Sequence, residues 1–215
     1  MKLDRIIAVR TNKIVYRDGN DCIKVFEKGY PKIDVLNEAL NQARVEETGI
    51  NVPEVRAVTK IDGKWAIVSG YVKGKTLDRL ILENPQKKRE YLEEFVELQI
   101  EVQSKTCKSL RKLKDKMNDK IDRADIDAAT RRELHSRLDG MPEHAKLCHG
   151  DFNPSNVIVS ESGAFYILDW SHVTQGNASA DIARTYLLLW LKGDISGAEE
   201  YLDMFCKKTG TEKEY

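Results

Sequence analysis

Residues 147–159, LCHGDFNPSNVIV, set a histidine, an aspartate and two asparagines between short apolar runs. Asn, Asp, Ser and Pro are common in turns, where their side chains bond to the nearby backbone, so the stretch predicts a tight loop. The runs NVIVS and FYILDW, separated by a turn at Gly163, then predict a hairpin of two short strands. Because a hairpin brings its outer ends together, we expect Asn156 and Asp169 to approach one point.

Asn156 and Asp169 together offer an amide oxygen and a carboxylate. Such oxygen ligands suit Mg²⁺, a hard cation that usually keeps coordination positions for water and for substrate phosphates. The pair therefore predicts a magnesium site that also receives a phosphate-bearing ligand. A turn held together by its own polar side chains is the alternative that the residues alone leave open.

The first part of the chain alternates strand-forming runs with turn residues. Residues 4–26 predict an antiparallel meander of three strands, residues 34–47 predict a helix, and two more strands flank a turn at Asp62 and Gly63. Lys24 lies in the middle of the third strand, CIKVF. Strand alternation alone leaves open that this lysine faces solvent.

The middle of the chain, residues 84–140, is strongly charged and has apolar residues at helical spacing, which predicts helices. The lysines within 105–120 alternate with this apolar stripe, so a solvated helix face is favoured over a nucleic-acid patch. The predicted fold class is α+β, with a small antiparallel-sheet lobe carrying one helix at 1–73 and a mostly helical lobe at 74–215.

Composition excludes several classes of protein. Lys plus Arg and Asp plus Glu each number 35, so the formal net charge is zero and no overall field attracts nucleic acid or an anionic membrane. The longest apolar run, YLLLWL at 186–191, is too short to span a bilayer, and the start lacks a signal-peptide core. The scattered cysteines favour reduced thiols. We therefore expect a cytoplasmic protein that binds neither nucleic acid nor membranes.

A wider set of residues supports a family resemblance. His149, Asp151 and Asn156, followed by Asp169 in ILDW and Asp181 in ADIARTYLLL, resemble in their order the signature of the aminoglycoside phosphotransferase and choline kinase superfamily. That superfamily has a protein-kinase-like, two-lobe fold. The spacing from the aspartate to the asparagine also equals that of the kinase catalytic loop H-R-D-L-x-x-x-N.

The resemblance implies an ATP-dependent phosphotransferase that acts on a hydroxyl of a small molecule, with ATP and Mg²⁺ as cofactors. In such an enzyme Asp151 accepts the proton of the acceptor hydroxyl, and Asn156 and Asp169 hold the metal ions that bridge the phosphates. Lys24 is implied to contact the α- and β-phosphates. Catalysis is then mostly positioning and charge stabilisation, because the transition state of phosphoryl transfer is loose.

Further residues are implied to support these groups. Glu38, on the helix after the third strand, is the expected ion-pair partner of the phosphate-binding lysine, with Glu46 and Glu47 as rivals on the same helix. His149 is expected to brace the loop structurally. Asp181 matches the family aspartate that binds the backbone of the catalytic loop, and the N-cap of helix IARTYLLLWL is a second, compatible role.

The stretch IVSGYVKGKTL at 67–77 resembles the hinge of this family, where the adenine contacts the main chain of Gly70, Tyr71 or Val72. Three features depart from the family or from protein kinases. Gly70 stands where the family usually has an acidic residue. The turn RTN between the first two strands lacks the glycines of the phosphate-covering loop of protein kinases, and Asn177 stands where the family often carries an aspartate.

The acceptor is predicted to be an amine-bearing alcohol or an aminoglycoside-like compound. Besides the resemblance, this rests on Trp170 as a cation-π wall and on carboxylates in the helical lobe, which are Asp119, Asp122, Asp125, Asp127 and Glu133. Solvation of a helix face and core packing of the tryptophan are the alternatives.

Two other functions fit the sequence less well. A protein kinase is disfavoured, because the segment from Asp169 to Asp181 is short and D-F-G and A-P-E are absent. A catalytically weak or inactive kinase-like nucleotide-binding protein is the alternative function. It would be expected to lack one of the four principal side chains, all of which are present: Lys24, Asp151, Asn156 and Asp169.

Overall fold

The computed structural model describes Leu3 and residues 5–213, which form an α+β fold. The strands are β1 Arg5–Arg10, β2 Lys13–Asp18, β3 Asp21–Phe26, β4 Val55–Ile61, β5 Lys64–Gly70, β6 Gly74–Thr76, β7 Lys146–Cys148, β8 Val157–Ser160, β9 Phe165–Ile167 and β10 Thr174–Gly176. The α-helices are α1 Lys32–Glu46, α2 Leu77–Glu83, α3 Lys88–Ser104, α4 Leu113–Arg123, α5 Ala128–Asp139, α6 Ala178–Leu191 and α7 Ile195–Thr209.

The chain divides into two compact units, and each is discontinuous in sequence. The first comprises Met1–Lys87 and Pro154–His172, and the second comprises Lys88–Asn153 and Val173–Tyr215. The division into functional lobes at 1–73 and 74–215 stays a prediction.

The first unit is built on a five-stranded antiparallel sheet with strand order β1-β2-β3-β5-β4, which confirms the predicted meander and the two further strands. One sheet face holds the apolar cluster Ile23, Val25, Ala66 and Val68. The other face packs Phe26 and Ile67 against Val35 and Ala39 of α1. Because side chains alternate along a strand, Lys24 shares the helix-covered face with Phe26 and does not face solvent.

Helix α1 begins slightly before the predicted range. Its N-cap position is Pro31, with φ −60°, and the fixed φ of proline suits entry into a helix. Asp34 lies in the first turn, where a carboxylate is favoured by the helix dipole. Gly49, with φ +81°, follows the helix in the left-handed region that glycine adopts at little cost.

The predicted hairpin forms from β8 and β9 and lies in a second antiparallel sheet of the first unit, with strand order β6-β8-β9. The amide of Leu168 donates to the carbonyl of Asn156 at 2.8 Å, so the outer ends of the hairpin are joined. On the other side of β8, a Cβ atom at Gly74 would lie 2.2 Å from the carbonyl oxygen of Val159. Only glycine fits at this close approach of two backbones.

The second unit is mostly helical, as predicted for the middle of the chain. Its core includes the stacked rings of Phe95 on α3 and Phe152, whose centroids lie 4.5 Å apart, and the buried ring of Tyr201 on α7. Strand β7, which leads into the loop at 149–153, pairs with β10 in an antiparallel ladder. The structure of the second unit therefore fixes the start of the HGDFN loop.

Helix α4 is held against β10. Lys112, just before the helix, forms a bridge with Gln175, and the side-chain amide of Gln175 donates to the carbonyl of Leu110 at 2.7 Å. A Cβ atom at Gly176 would lie 2.5 Å from the Cβ of Leu113. The absence of a side chain at this glycine lets the first turn of α4 approach the strand.

Two negative findings concern the described residues. Within Leu3 and residues 5–213, each helix is too short or too polar to cross a lipid bilayer. The cysteines, Cys22, Cys107, Cys148 and Cys206, are free thiols, and burial raises the pKa of Cys148, with a further contribution from the Asp181 carboxylate.

Candidate active site

A group of two lysines and two carboxylates lies on the helix-covered side of the first unit. The ammonium group of Lys24 contacts the carboxylate of Glu38 directly and lies 3.9 Å from Oδ1 of Asp169. The side chain of Glu38 is only 6% exposed, so the pair is shielded from water and costly to break. Burial alone would lower the pKa of Lys24, but the two carboxylates outweigh it and raise the pKa. Lys24 is therefore held as a fixed positive charge beside Asp169.

Lys13, the first residue of β2, is a second cation that the sequence analysis missed. Its Nζ lies 3.4 Å from Oε2 of Glu38 and 3.5 Å from Oδ2 of Asp169. The register of the hairpin explains this position, because Lys24 stands opposite Val15 and alternation puts Lys13 on the same face as Val15. Once a turn is placed at residues 11–12, strand alternation is enough to predict the face on which Lys13 lies.

The rival partners on α1 are engaged elsewhere or lie at the surface. The carboxylate of Glu46 accepts a hydrogen bond from the amide of Val55 at 2.8 Å. Glu47 is the exposed C-cap residue of the helix. The local geometry therefore favours Glu38 over both alternatives as the partner of Lys24.

We predict that Lys24→Ala and Glu38→Ala act non-additively on Mg·ATP binding and turnover. Each variant removes the same ion pair, so the double variant should lose about as much as the worse single variant. A double-mutant cycle measured by isothermal titration and by steady-state rates tests this, with Glu46→Ala as a matched control on the same helix. Losses that simply add would show that the two side chains do not act as one unit.

The predicted magnesium ligands lie next to the two strand ends at the open end of the β8–β9 hairpin. The backbone bond between Leu168 and Asn156 brings Asn156 close to the residue before Asp169. Asp169 has φ +62°, a left-handed conformation that is uncommon outside glycine and that concentrates at functional sites. Its Oδ1 also accepts a hydrogen bond from the hydroxyl of Ser171 at 3.1 Å.

The donor set suits magnesium bound together with phosphates. Within Leu3 and residues 5–213, no group of three or more His, Cys, Asp or Glu side chains is placed to hold a metal ion by itself. Mg²⁺ is usually held by one or two protein ligands while substrate phosphates and water complete its shell. One carboxylate and one amide, beside the cations Lys13 and Lys24, match that pattern.

The three residues predicted to contact the adenine differ in whether their backbone amide already donates a hydrogen bond. The amide of Gly70 donates to the carbonyl of Glu54 at 2.9 Å, and that of Tyr71 donates to the carbonyl of Asn20 at 2.8 Å. These two amides are thus engaged inside the first unit. Among the three hinge residues, the amide of Val72 is the remaining main-chain donor for a base.

In the second unit, the loop that carries Asp151 is braced by its own neighbours. The ring of His149 is fully buried, and its Nδ1 accepts a hydrogen bond from the amide of Asp151 at 3.2 Å. The side-chain amide of Asn153 donates to the carbonyl of Asp151 at 3.0 Å. His149 thus has the contacts of a brace, while Asn153 is a support that the sequence analysis did not identify.

Asp181 binds the backbone of the same loop. Its Oδ2 accepts from the amide of His149 at 3.0 Å, and its Oδ1 accepts from the amide of Gly150 at 2.7 Å. The alternative role as an N-cap is wrong, because α6 begins at Ala178 and its N-cap is Asn177, whose side chain accepts from the amide of Ser179. The asparagine that departs from the family pattern therefore caps the helix that presents Asp181.

We predict that Asp181→Ala destabilises the protein by about 2 to 5 kcal/mol, because two loop amides lose their acceptors and one of them is fully buried. Urea unfolding measures the change. Asp125→Ala, at an exposed aspartate of the same unit, is the control and should stay within about 0.5 kcal/mol of the wild type. Equal unfolding midpoints for the two variants would contradict the structural role of the carboxylate.

Arg184, one turn further along α6, is a third residue that the sequence analysis missed. Its Nε donates to the carbonyl of Gly150 at 3.2 Å, and its terminal nitrogen lies 3.6 Å from Oδ1 of Asp151. The side chains of Arg184 and Asp151 are 47% and 30% exposed. The carboxylate is therefore oriented by an arginine and still accessible to a ligand.

Comparisons with known proteins give a consistent fold. A search of curated protein sequences finds no match. Among solved structures, the chain resembles an aminoglycoside-3'-phosphotransferase of type VIII, with TM-score 0.67 and 18% identity over 98% of this chain and 87% of that chain. It also resembles the aminoglycoside phosphotransferase APH(4)-Ia, with TM-score 0.68 and 14% identity over 95% of this chain and 77% of that chain.

A choline/ethanolamine kinase family protein from Mesorhizobium loti has TM-score 0.61 and 18% identity, over 95% of this chain and 69% of that chain. These likenesses show that the fold is the protein-kinase-like α+β fold predicted from the sequence. A family model, the phosphotransferase enzyme family, matches residues 10–215. The chain therefore belongs to the phosphotransferase enzyme family.

Proposed function

We propose that the protein transfers the γ-phosphoryl group of ATP, bound with Mg²⁺, to a hydroxyl of a small molecule. The observation that carries the proposal is the buried pair of Lys24 and Glu38 beside Asp169. Such a largely shielded group of charges adds little net stability, because desolvation offsets much of the attraction, and we therefore assign it a role in binding. A phosphate chain bound here would contact the positive charges of Lys24 and Lys13 and lie beside Asp169, the proposed metal ligand.

The chemical step that we propose is a direct displacement. The oxygen of the acceptor hydroxyl attacks the γ-phosphorus and forms a new O–P bond, while the bond from that phosphorus to the β–γ bridging oxygen breaks and ADP leaves. The carboxylate of Asp151 accepts the hydroxyl proton as the bond forms. His149 and Asn153 fix the loop backbone, so the carboxylate can orient the hydroxyl without moving.

The residues that would bind the nucleotide all lie in the first unit. Asn156 and Asp169 would hold Mg²⁺, which neutralises charge on the phosphates when it is bound there. Lys24 and Lys13 would contact the phosphates, and Lys13 supplies charge at the turn that lacks the glycine-rich loop. The amide of Val72 would meet the adenine edge. Structures of APH(4)-Ia with ADP or AMP-PNP support a nucleotide as the donor.

The amine-bearing acceptor was predicted partly from Trp170 and partly from carboxylates of the helical region. Trp170 is fully buried, and its Nε1 donates to the carbonyl of Ile167 at 3.1 Å, so it is a core residue and not a cation-π wall. An amine acceptor now has its support from the fold relatives, since APH(4)-Ia is seen with hygromycin B. Amine-bearing alcohols and aminoglycosides are therefore included among the compounds of the screen described next.

The test is a coupled ATP-turnover screen of hydroxyl compounds with Mg²⁺, with each product identified by mass spectrometry. We expect ADP and a phosphorylated acceptor to form in equal amounts, and we expect chelation of the metal to abolish the reaction. GTP in place of ATP tests the base. The alternative, an inactive nucleotide-binding protein, predicts tight binding of Mg·ATP and no phosphorylated product with any compound.

A further inference from the structure

The surroundings of Asp151 in the second unit are more basic than the sequence suggested. Arg184 reaches over the loop from α6 and is about half exposed. Arginine has five donors in a planar fork, and its bonds to the Gly150 carbonyl and toward Asp151 involve only part of that fork. A group that approaches the Asp151 carboxylate therefore also approaches a guanidinium.

Helix α4 adds a second cation to this neighbourhood. The bridge between Lys112 and Gln175 anchors the start of α4 on β10, and β10 pairs with β7 next to the loop, with Thr174 opposite Cys148. One turn further along α4, Lys116 is half buried. The backbone connections thus hold this lysine near the strand that delivers the catalytic loop.

The electrostatic environment of Lys116 is consistent with this placement. Burial, together with the charges of Lys120, Arg111 and Arg184, lowers its pKa to about 8, and the Asp181 carboxylate offsets only part of this shift. Lys116 and Arg184 therefore share a positive region at the loop. An anion bound there would relieve the repulsion, and it would gain more than it would in open water.

Four of the five acidic residues that had suggested an ammonium ligand already contact protein groups. Asp119 pairs with Arg111 at 2.6 Å, and Asp122 accepts from His135 at 3.0 Å. The carboxylate of Asp127 caps α5 by accepting from two of its amides. Glu133 pairs with Arg137 along the same helix. These four carboxylates therefore bond to groups of the second unit, and their contacts do not favour an ammonium ligand over an anion.

We propose that the phosphate acceptor carries a carboxylate or a phosphate group and that Arg184 and Lys116 bind this group while its hydroxyl faces Asp151. The inference rests on the proposed phosphotransferase function and names its acceptor class. Arg184 would recognise the planar or tetrahedral oxygens through paired N–H donors. Lys116 would act as a point charge that selects against neutral and amine-bearing compounds.

The test compares compounds that differ in charge and little else. One series is glycerol, glycerate, glycerol 3-phosphate and 3-amino-1,2-propanediol, and a second is glucose, gluconate, glucose 6-phosphate and glucosamine. We expect kcat/KM for an anionic member to exceed that of its neutral parent by about tenfold or more, as one charge-assisted contact allows. The two anionic members separate a carboxylate requirement from a phosphate requirement.

Lys116→Met should lower the ratio of anionic to neutral kcat/KM by about tenfold. Lys114→Met, on the same helix at a lysine that pairs with Asp139 at 3.2 Å, is the control and should leave the ratio unchanged. In the wild type the preference for glycerate or gluconate should fall as pH rises through about 8, where Lys116 loses its proton. The acceptor carboxylate stays ionised throughout, so the profile should be flat in the Lys116→Met variant.

Preference for the neutral or amine-bearing member in either series would overturn the inference and leave the kinase function intact. If no compound of any charge, aminoglycosides included, yields ADP, the proposed function itself fails. If turnover occurs only outside both series, calorimetric titration of gluconate and glucose 6-phosphate into protein saturated with Mg·AMP-PNP decides the matter. Binding that weakens in Lys116→Met supports the inference, and absent or unchanged binding overturns it.

Discussion

An Asp151→Asn variant is expected to bind Mg·AMP-PNP as the wild type does and to turn over about a hundredfold more slowly, or worse. The amide has nearly the same shape as the carboxylate but cannot accept the proton of the acceptor hydroxyl, and general-base assistance contributes about a hundredfold or more. The loop should keep its conformation, because His149 and Asn153 contact the backbone of residue 151. Calorimetry measures the binding, and steady-state kinetics measures the rate.

Asp125→Asn is the matched control, since it makes the same chemical change at an exposed position of the same unit. Its turnover should equal that of the wild type. Near-normal turnover in Asp151→Asn would remove this residue from the proton-accepting role.

The second large effect is expected at the magnesium ligands. Asp169→Asn should lower turnover by about 100- to 1,000-fold, as loss of a group that stabilises transition-state charge does in other enzymes. Asparagine is the informative replacement, because it tolerates the left-handed backbone at φ +62° better than alanine does. Asn156→Ala should act in the same direction with a smaller loss, since an amide is a weaker ligand than a carboxylate.

Both variants should also raise the Mg²⁺ concentration needed for half-maximal turnover and weaken binding of Mg·AMP-PNP. Isothermal titration at several metal concentrations measures this linkage. Ser171→Ala is the control, because its hydroxyl bonds to the carboxylate of Asp169 without being a proposed ligand. Unchanged affinity for the metal–nucleotide complex in both ligand variants would show that the metal is held elsewhere.

The parts of the site that the sequence predicted depend on short-range relations. Asn156 and Asp169 flank one hairpin, so their approach follows from local pairing. Glu38 lies on the helix directly after the strand of Lys24, and packing of that helix on the sheet leaves little choice of partner. Family resemblance supplied the roles, and these relations made them physically consistent.

The residues that were missed depend on relations that local patterns do not encode. The position of Lys13 could be inferred only from the register of β2 against β3. The turn between β1 and β2 lacks glycine, so no clear signal in the sequence marks where β2 begins. The role of Arg184 could be inferred only from the position of α6 over the loop. One arginine in an apolar helix does not indicate which loop it contacts. The N-cap prediction at Asp181 was wrong for a similar reason, because the helix starts at Ala178 and Asn177 is its N-cap.

The discontinuity of the first unit has a consequence for protein synthesis. Lys24 and Glu38 belong to its early segment, Met1–Lys87, whereas Asn156 and Asp169 belong to its late segment, Pro154–His172. On the ribosome the early segment emerges well before the hairpin that completes it, and domains tend to fold as whole units during translation. The proposed nucleotide site therefore cannot assemble until elongation has passed Asp169, and a chain truncated before Asn156 would lack both proposed metal ligands.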